Sequence, residues 1–295
     1  MAPPARASRR ALERLVRTAL AEDRVGRDRT SRAVLPHAVP AEGAVQAQAR
    51  GVVSGVEAAR LAARAVGLAV VRAVPDGARV RPGETVLVVR GDARAILGVE
   101  RTVLNLLMHA SGVATATARA VRAAGPGPRA LVVLATRKTL PGLRDLEKAA
   151  VVHGGGRPHR RDLADAILVK SNHLAVVGLE PAIARARRRA RRGERVEVEV
   201  RTVREALRAA RAGAGALLID NASPGAARAI VRALVDAGMR SGLWVELSGG
   251  ITAETVGRYR AVGADAVSLG ALTHSAPALP FHLRLRSPAL RRRPA

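Results

Sequence analysis

Short aliphatic runs alternate with helix-length amphipathic segments through the second half of the chain. From residue 131 onward this pattern predicts six strands, at residues 131–136, 167–170, 196–200, 216–220, 244–248 and 266–270. Predicted helices fill the intervals, among them residues 201–212, 225–237 and 253–262. Repeated strand–helix units of this length predict a parallel sheet with right-handed crossovers. A regular series favours a barrel over an open sheet, but six strands do not support a complete eight-stranded barrel.

The part of the chain that precedes these repeats has a different pattern. Residues 11–21 form a predicted amphipathic helix, and short strands rich in Val and Ala follow, separated by glycines. A further helix carries Glu100 to Asn105 and is predicted to run towards Gly112. The pattern therefore predicts an α/β protein in which a mixed α/β unit comes before the strand–helix repeats.

Composition adds that the core is aliphatic. Of 295 residues, 48% are hydrophobic but only 1% are aromatic, and there is no cysteine. We expect a folded protein whose core consists of Val, Leu, Ile and Ala, and we exclude disulfides and thiolate metal sites. No apolar run reaches membrane-spanning length, and the N-terminal residues do not form an apolar signal segment. The sequence therefore predicts a soluble, cytoplasmic protein with no membrane partner.

The formal net charge of +26 raises the alternative of a nucleic-acid-binding protein. However, the basic residues are nearly all arginines spread along the chain, and the aromatic side chains on which single strands stack are almost missing. We therefore expect no specific nucleic-acid partner. A basic protein remains suited to small polyanionic substrates.

Polar residues recur at the ends of the predicted strands. In a parallel barrel these ends converge on one face, which is where barrel active sites lie. The residues concerned are Arg137 and Lys138, Lys170, Glu199, Asp220, Ser248 to Gly250, and Gly270.

One side of this face is predicted to be cationic, through Arg137, Lys138, His159, Arg160 and Lys170. Arginine binds carboxylates and phosphates through paired donors, and lysine supplies a mobile point charge. The alternative is that these are ordinary basic residues of a basic protein. Two of the chain's three lysines lie here, which favours a function.

The opposite side is predicted to be acidic. Glu197 and Glu199 are two residues apart on one strand, so both point to the same side, and Asp220 ends the next strand. Glu199 and Asp220 are suited to accept hydrogen bonds from sugar hydroxyls and to help hold a hydrated Mg²⁺. The alternative is structural salt bridges with nearby arginines, and for Glu197 we favour that alternative.

The last two strands end in Ser248-Gly249-Gly250 and Ser268-Leu269-Gly270. Glycines let backbone amides approach an anion, and a following helix adds its positive N-terminus. One Ser-Gly-Gly string is compatible with a simple turn, but the pair predicts a phosphate site. Together with the acids and the cationic rim, this site fits transfer of a phosphoribosyl group to an acidic acceptor, which the residues alone do not name.

Motifs with distinctive spacing run through nearly the whole chain. They include Glu100-Arg101-Thr102, Ser111-Gly112, Thr136-Arg137-Lys138-Thr139, Glu147-Lys148, Gly154-Gly155-Gly156, His159-Arg160, Lys170 with Asn172-His173, Glu197-Val198-Glu199, Asp220-Asn221, Glu246, Ser248-Gly249-Gly250 and Gly270-Ala271-Leu272-Thr273-His274. In these motifs the chain resembles the quinolinate phosphoribosyltransferase family, the carboxylating nicotinate-nucleotide pyrophosphorylases. The resemblance implies an N-terminal α/β sandwich (residues 1–113, joined by the tail 276–295) and an incomplete β/α barrel (residues 114–275).

The resemblance also implies an activity: phosphoribosyl pyrophosphate and quinolinate give nicotinate mononucleotide, pyrophosphate and CO2, in NAD biosynthesis. It implies Mg²⁺ as cofactor, and a homodimer or larger homo-oligomer in which Arg101 reaches the partner's site. The catalytic residues would be Lys138, Lys170, Glu199 and Asp220, the two acids also holding Mg²⁺ directly or through water. The substrate-binding residues would be Arg101, Thr136, Arg137, His159, Arg160, Ser248, Gly249, Gly250, Ser268 and Gly270.

The chain departs from the family pattern at Ser171, where Asp is expected, and at Ala135 and Leu247. Ser171 removes a carboxylate beside the predicted site. Two rival functions remain open: the related phosphoribosyltransferase-like protein encoded beside molybdate transport genes, and a basic RNA-binding protein or scaffold without activity. The string from Lys170 to His173 and the full cationic rim favour the quinolinate enzyme.

Overall fold

The computed structural model describes residues 9–35, 37–127 and 130–287. The chain forms two compact units. The first contains the residues up to Ala118, the segment Thr139–Gly155 and the residues from Ala276 onward, and the second contains Arg119–Lys138 and Gly156–Ser275. Our sequence-based division had assigned residues 139–155 to the barrel. The outermost parts of the predicted domains, residues 1–8 and 288–295, lie outside the described residues.

The first unit contains an antiparallel sheet and a two-stranded ladder. Its helices are α1 (Arg9–Glu22), α2 (Arg29–Val34), α3 (Val56–Ala65), most of α4 (Ala93–Ala124) and α5 (Arg144–His153). Its strands are β1 (Pro40–Ala47), β2 (Gly51–Val52), β3 (Ala69–Ala73), β4 (Arg79–Val80), β5 (Thr85–Asp92) and β13 (Phe281–Arg286). The order β13-β1-β5-β3 makes the main sheet, while β2 pairs with β4. Alternate residues of β1 are buried, as expected for a sheet with one face on the core.

Helix α4 is longer than the sequence pattern predicts, because it continues through Gly112 to Ala124. A side chain at Gly112 would collide with the backbone of Pro277 and Ala278. This glycine therefore allows a close approach of two backbone segments and does not end the helix.

The second unit is built on a seven-stranded parallel sheet. Its strands are β6 (Val132–Ala135), β7 (Arg157–Pro158), β8 (Leu168–Val169), β9 (Glu197–Val200), β10 (Ala216–Asp220), β11 (Trp244–Ser248) and β12 (Ala266–Leu269). Helices α6 (Ser171–Val177), α7 (Leu179–Arg189), α8 (Val203–Arg211), α9 (Pro224–Asp236) and α10 (Ala271–His274) connect or follow them.

The order β7-β6-β12-β11-β10-β9-β8 joins the first and last strands of this unit and leaves the sheet open between β7 and β8. An incomplete β/α barrel, as predicted, is therefore confirmed. The central strands are apolar: every residue of β12 is buried, and so are the first four residues of β10. These strands form the core of the unit and direct their carboxyl ends to one face.

Two predictions for this unit were wrong in detail. The seventh strand, β7, was missed because Arg157-Pro158 carries no apolar run. The predicted helix at residues 253–262 is only a 3-10 helix over Val256–Tyr259. Within that segment the hydroxyl of Thr255 accepts a bond from the amide of Thr252 at 2.9 Å, which stabilises a turn. No helix of the described residues is both long and apolar enough to cross a membrane.

Candidate active site

A cavity of about 280 Å³ lies at the carboxyl ends of the parallel strands of the second unit. Ten of the residues that we predicted for the site line it. The full lining consists of Thr136, Arg137, Lys138, His159, Arg160, Leu168, Lys170, Glu199, Leu218, Asp220, Glu246, Ser248 and Ser268.

The backbone of Lys138 is hydrogen-bonded at both its amide and its carbonyl. Its amide donates to the hydroxyl of Thr136 at 3.0 Å, and its carbonyl accepts from the hydroxyl of Thr273 at 2.7 Å. The side chain passes over Gly270, where a Cβ atom would lie 2.8 Å from Lys138 Cδ. Thr136 and Gly270 therefore shape the position of this lysine.

The rest of the cationic rim lies across the open edge of the sheet. Arg160 donates to the carbonyl of Ala166 at 3.4 Å, and both burial and the charge of Arg137 lower the pKa of its guanidinium. Lys170 is exposed at the start of α6, where its amide donates to Nδ1 of His173 at 2.9 Å. Ser171, the departure noted above, is half-buried in the first turn of that helix. Two arginines and two lysines thus border one cavity.

His159 lies against two buried acids. Its Nε2 is 3.1 Å from Glu197 Oε2 and 3.3 Å from Glu246 Oε2, and only 1% of the Glu246 side chain is exposed. Burial by itself would lower the pKa of His159, but its hydrogen bonds to Glu197 and Glu246 and their negative charges raise it to about 10. Burial and the Glu246 charge also raise the pKa of Glu197. His159 and Glu197 therefore hold their protons to higher pH than they would in water.

The backbone orients the imidazole ring. The amide nitrogen of Arg160 lies 2.7 Å from Nδ1 of His159, so Nε2 is the ring nitrogen that faces the two glutamates. The three groups are of metal-ligating types, and their ligand atoms lie within 4.8 Å of one another. A metal needs an unprotonated ring nitrogen, and the raised pKa of His159 keeps a proton on the Nε2 that faces the two acids, so this group does not suit a metal. We expected Glu197 to pair with nearby arginines, but its hydrogen bond is to the imidazole of His159.

Glu199 and Asp220 lie at the ends of the neighbouring strands β9 and β10, with 10% and 16% of their side chains exposed. The guanidinium of Arg201 is near both: Nη2 is 3.1 Å from Asp220 Oδ2 and 3.6 Å from Glu199 Oε1. Asp220 Oδ2 also accepts from the side-chain Nδ2 of Asn221 at 2.9 Å. Two carboxylates are a donor set that fits Mg²⁺, and a positive group already contacts both of them.

The loop after β11 has a backbone that favours glycine. Gly249 and Gly250 have φ of 87° and 62°, and a side chain at Gly249 would collide with Asn221. Nearby, the hydroxyl of Ser268 donates to that of Ser248 at 3.0 Å. Among the described residues, β11 is followed by the 3-10 helix at Val256–Tyr259, and β12 leads into the four-residue helix α10, so the helix N-terminus that we expected to support a phosphate is only that of a short helix. Backbone amides and two hydroxyls remain as donors for an anion.

Arg101 is exposed on α4 in the first unit and is not among the residues that line the cavity. Three lining residues were absent from the predicted site, namely Leu168, Leu218 and Glu246. Glu246 was detectable as an acid inside an otherwise apolar strand, two residues before Ser248 and on the same face. The two leucines look like any other core position in the sequence.

Family models match both parts of the chain. The model described as the N-terminal domain of quinolinate phosphoribosyl transferase matches residues 28–111, and that of the C-terminal domain matches residues 113–284. The chain belongs to the quinolinate phosphoribosyltransferase family. Predictions of family and fold from the motifs are therefore confirmed.

Relatives in this family match over most of their length. A probable carboxylating nicotinate-nucleotide pyrophosphorylase of Methanothermobacter thermautotrophicus is 40% identical over 88% of this chain and 93% of its own. The human carboxylating nicotinate-nucleotide pyrophosphorylase is 37% identical over 86% and 85%. Among solved structures, NadC from Streptococcus pyogenes has a TM-score of 0.84 at 37% identity, covering 92% of this chain and 95% of that one. The nicotinate-nucleotide pyrophosphorylase from Francisella tularensis has a TM-score of 0.88 at 28% identity, covering 97% and 100%.

Proposed function

We propose that this quinolinate phosphoribosyltransferase converts quinolinate and phosphoribosyl pyrophosphate into nicotinate mononucleotide, pyrophosphate and CO2, a reaction of NAD biosynthesis. The observation that carries the proposal is the convergence of a cationic rim, an acid pair and the hydroxyls of Ser248 and Ser268 on one cavity. A dianionic acceptor and a phosphorylated, hydroxylated donor need these three kinds of group together. The names of the relatives support the same reaction.

The cationic rim binds the acceptor. Arg137 and Arg160 bind the quinolinate carboxylates through paired donors, and Lys170 adds a point charge. His159 contributes from its position on the two buried glutamates, and Thr136 borders the same part of the cavity. These contacts hold the pyridine nitrogen in register with the sugar.

The opposite side binds the donor. Amides of Gly249, Gly250 and Gly270, with the hydroxyls of Ser248 and Ser268, bind the 5-phosphate. Glu199 and Asp220 accept hydrogen bonds from the ribose hydroxyls, and they would hold Mg²⁺ directly or through water. When bound, that ion supplies positive charge to the pyrophosphate.

In the chemical step, positive charge develops on the sugar and negative charge on the departing pyrophosphate. The pyridine nitrogen bonds to the anomeric carbon while the bond from that carbon to pyrophosphate breaks, and Glu199 and Asp220 stabilise the cationic sugar. Lys138 and Lys170 stabilise the departing pyrophosphate. The bond to the 2-carboxyl group then breaks, CO2 leaves, and the ring carbon takes up a proton. This chain's contribution is chiefly to hold both anions in reacting geometry.

The assembly is also a proposal. Exposed Arg101 of one subunit reaches the cavity of its partner, in a homodimer or a larger homo-oligomer. The protein acts in the cytoplasm and has no specific nucleic-acid partner.

The test is turnover of the purified protein with quinolinate, phosphoribosyl pyrophosphate and Mg²⁺, followed as nicotinate mononucleotide. We expect turnover that falls at least about 100-fold in Lys138→Ala and in Glu199→Ala. Arg208→Ala is the control, because it removes a charge that pairs with Glu180 at 2.8 Å on the exposed surface. A folded protein that turns over neither quinolinate nor nicotinate would refute the assignment, and Ser171→Asp would then test whether the missing carboxylate is the cause.

A further inference from the structure

Arg201 is the first residue after β9, and its guanidinium contacts both acids of the donor side. The Nη2 atom is 3.1 Å from Asp220 Oδ2 and 3.6 Å from Glu199 Oε1. These are the oxygens that a divalent cation or the ribose hydroxyls would use. The positively charged side chain of Arg201 thus contacts the carboxylate oxygens to which the expected ligand would bind.

The backbone of Arg201 is fixed. Its amide donates to Glu205 Oε2 at 2.7 Å, and Glu205 is part of the capping box that begins α8 with Thr202. Any movement of the guanidinium therefore comes from rotation of the side chain and not from the strand end.

The exposures of the partners differ. The Arg201 side chain is 56% exposed, whereas those of Glu199 and Asp220 are 10% and 16% exposed. Two carboxylates with so little exposure to solvent need a compensating positive charge when no ligand is bound. A half-exposed ion pair is weak, so the arginine is able to leave.

We propose that Arg201 is a resident counter-ion of the acid pair, which the incoming divalent cation and ribose must displace. It stabilises the pair in the ligand-free enzyme and lowers its affinity for metal, so that the metal binds firmly only with the donor. This inference rests on the proposed function for the identity of the ligand. The competition between Arg201 and a cation is measurable without turnover.

The experiment is Mn²⁺ binding to the ligand-free protein, measured by loss of the free-ion electron paramagnetic resonance signal. We expect Arg201→Gln to bind Mn²⁺ about three- to tenfold more tightly than the wild type, in line with loss of a weak ion pair. Arg201→Lys, which keeps the charge but not the planar group, should lie between them. The gain should disappear in the double variant Arg201→Gln/Glu199→Gln.

Arg208→Gln is the matched control, because it also removes one positive charge from an ion pair of the same unit. An equal gain in this control would assign the effect to net charge and overturn the inference. An unchanged affinity in Arg201→Gln would also overturn it. Turnover of the wild type, measured in parallel, reports on the proposed function independently, because Mn²⁺ affinity in the ligand-free protein does not depend on the acceptor.

Discussion

Individual side chains in this site are positioned by neighbours that do no chemistry themselves. The clearest case is Lys138, whose stem passes over Gly270 and whose backbone is bonded to Thr136 and Thr273. The chain's third lysine, Lys148, is buried in α5 of the other unit. In a protein that otherwise uses arginine, lysine at position 138 supplies a compact point charge in place of a planar guanidinium.

Gly270→Ala tests this positioning. Its φ is −67°, so alanine causes no backbone strain, but the new Cβ atom would lie 2.8 Å from Lys138 Cδ. We expect kcat to fall by about 10- to 100-fold because the lysine is displaced. The thermal midpoint should change little. Gly225→Ala is the control, since its Cβ atom would meet nothing nearer than 4.0 Å.

The pH dependence of stability tests the group of His159, Glu197 and Glu246. The pKa of His159 is raised from 6.5 to about 10, because its bonds to the two glutamates outweigh burial. The folded protein thus keeps a proton that the unfolded chain loses above pH 6.5. This contribution to stability is complete below pH 6.5 and is lost as the pH rises towards 10, by an amount on the order of 3 kcal/mol.

Urea unfolding at pH 6.5 and 9.5 measures this change. Because the raised pKa of His159 lies at the upper end of this window, wild-type stability should fall with pH across it. Glu246→Gln removes one of the two charges and should make the fall shallower. A stability that is constant or increases with pH would contradict the protonation that we assign.

At the scale of elements, strand ends and the loops after them carry the site. Strands β10 and β11 place Asp220 and Ser248 side by side, because these residues are partners in the parallel ladder. The amide of Asn221 donates to the carbonyl of Ser248 at 2.9 Å and joins the two loops. The glycines that follow Ser248 therefore form part of a two-loop structure and not a free turn.

Two glycine substitutions separate crowding from strain in this structure. Both glycines have a positive φ, so alanine strains the backbone at either position. In Gly249→Ala the new Cβ atom also collides with Asn221, whereas in Gly250→Ala it lies in open space. We expect Gly249→Ala to raise KM for phosphoribosyl pyrophosphate about tenfold or more, and Gly250→Ala to have the smaller effect. Steady-state kinetics with quinolinate saturating gives the comparison. The reverse order would show that the loop contacts do not shape the donor site.

The sequence predicts these elements unevenly, for physical reasons. The bounds of β10 and β11 were predicted correctly because each is an apolar run with a polar residue at its end. Strand β7 has no such run, because it consists of only two residues, Arg157 and Pro158. The contact of Arg201 with Asp220 follows from the register of two strands, which no local pattern in the chain reveals.

At the scale of the whole molecule, the family and the fold were predictable from motifs spread along the chain. The net charge of +26 was a poor guide to function, although a concentration of cations around one cavity suits anionic substrates. The assembly stays a prediction from the family resemblance, because Arg101 by itself looks like any exposed arginine on a helix.

Subunit mixing tests the proposed assembly. Arg101→Ala and Lys138→Ala should each be nearly inactive by themselves. If Arg101 serves the partner's cavity, a mixed dimer has one site with both residues intact, so a mixture should recover up to about a quarter of wild-type activity. No recovery after demonstrated subunit exchange would place Arg101 in its own subunit's site or in none.

The order in which strands join each sheet has a consequence for synthesis of the protein. In the parallel sheet β6 pairs with β12, and in the antiparallel sheet β1 pairs with β13. A nascent chain therefore carries unpaired edges in both sheets while roughly 130 residues beyond β6 are translated, a wait of about 10 s. An unpaired strand edge is a template for pairing with strands of other chains, which leads to aggregation. Faster translation between β6 and β12 should thus increase the yield of folded enzyme without a change in any residue.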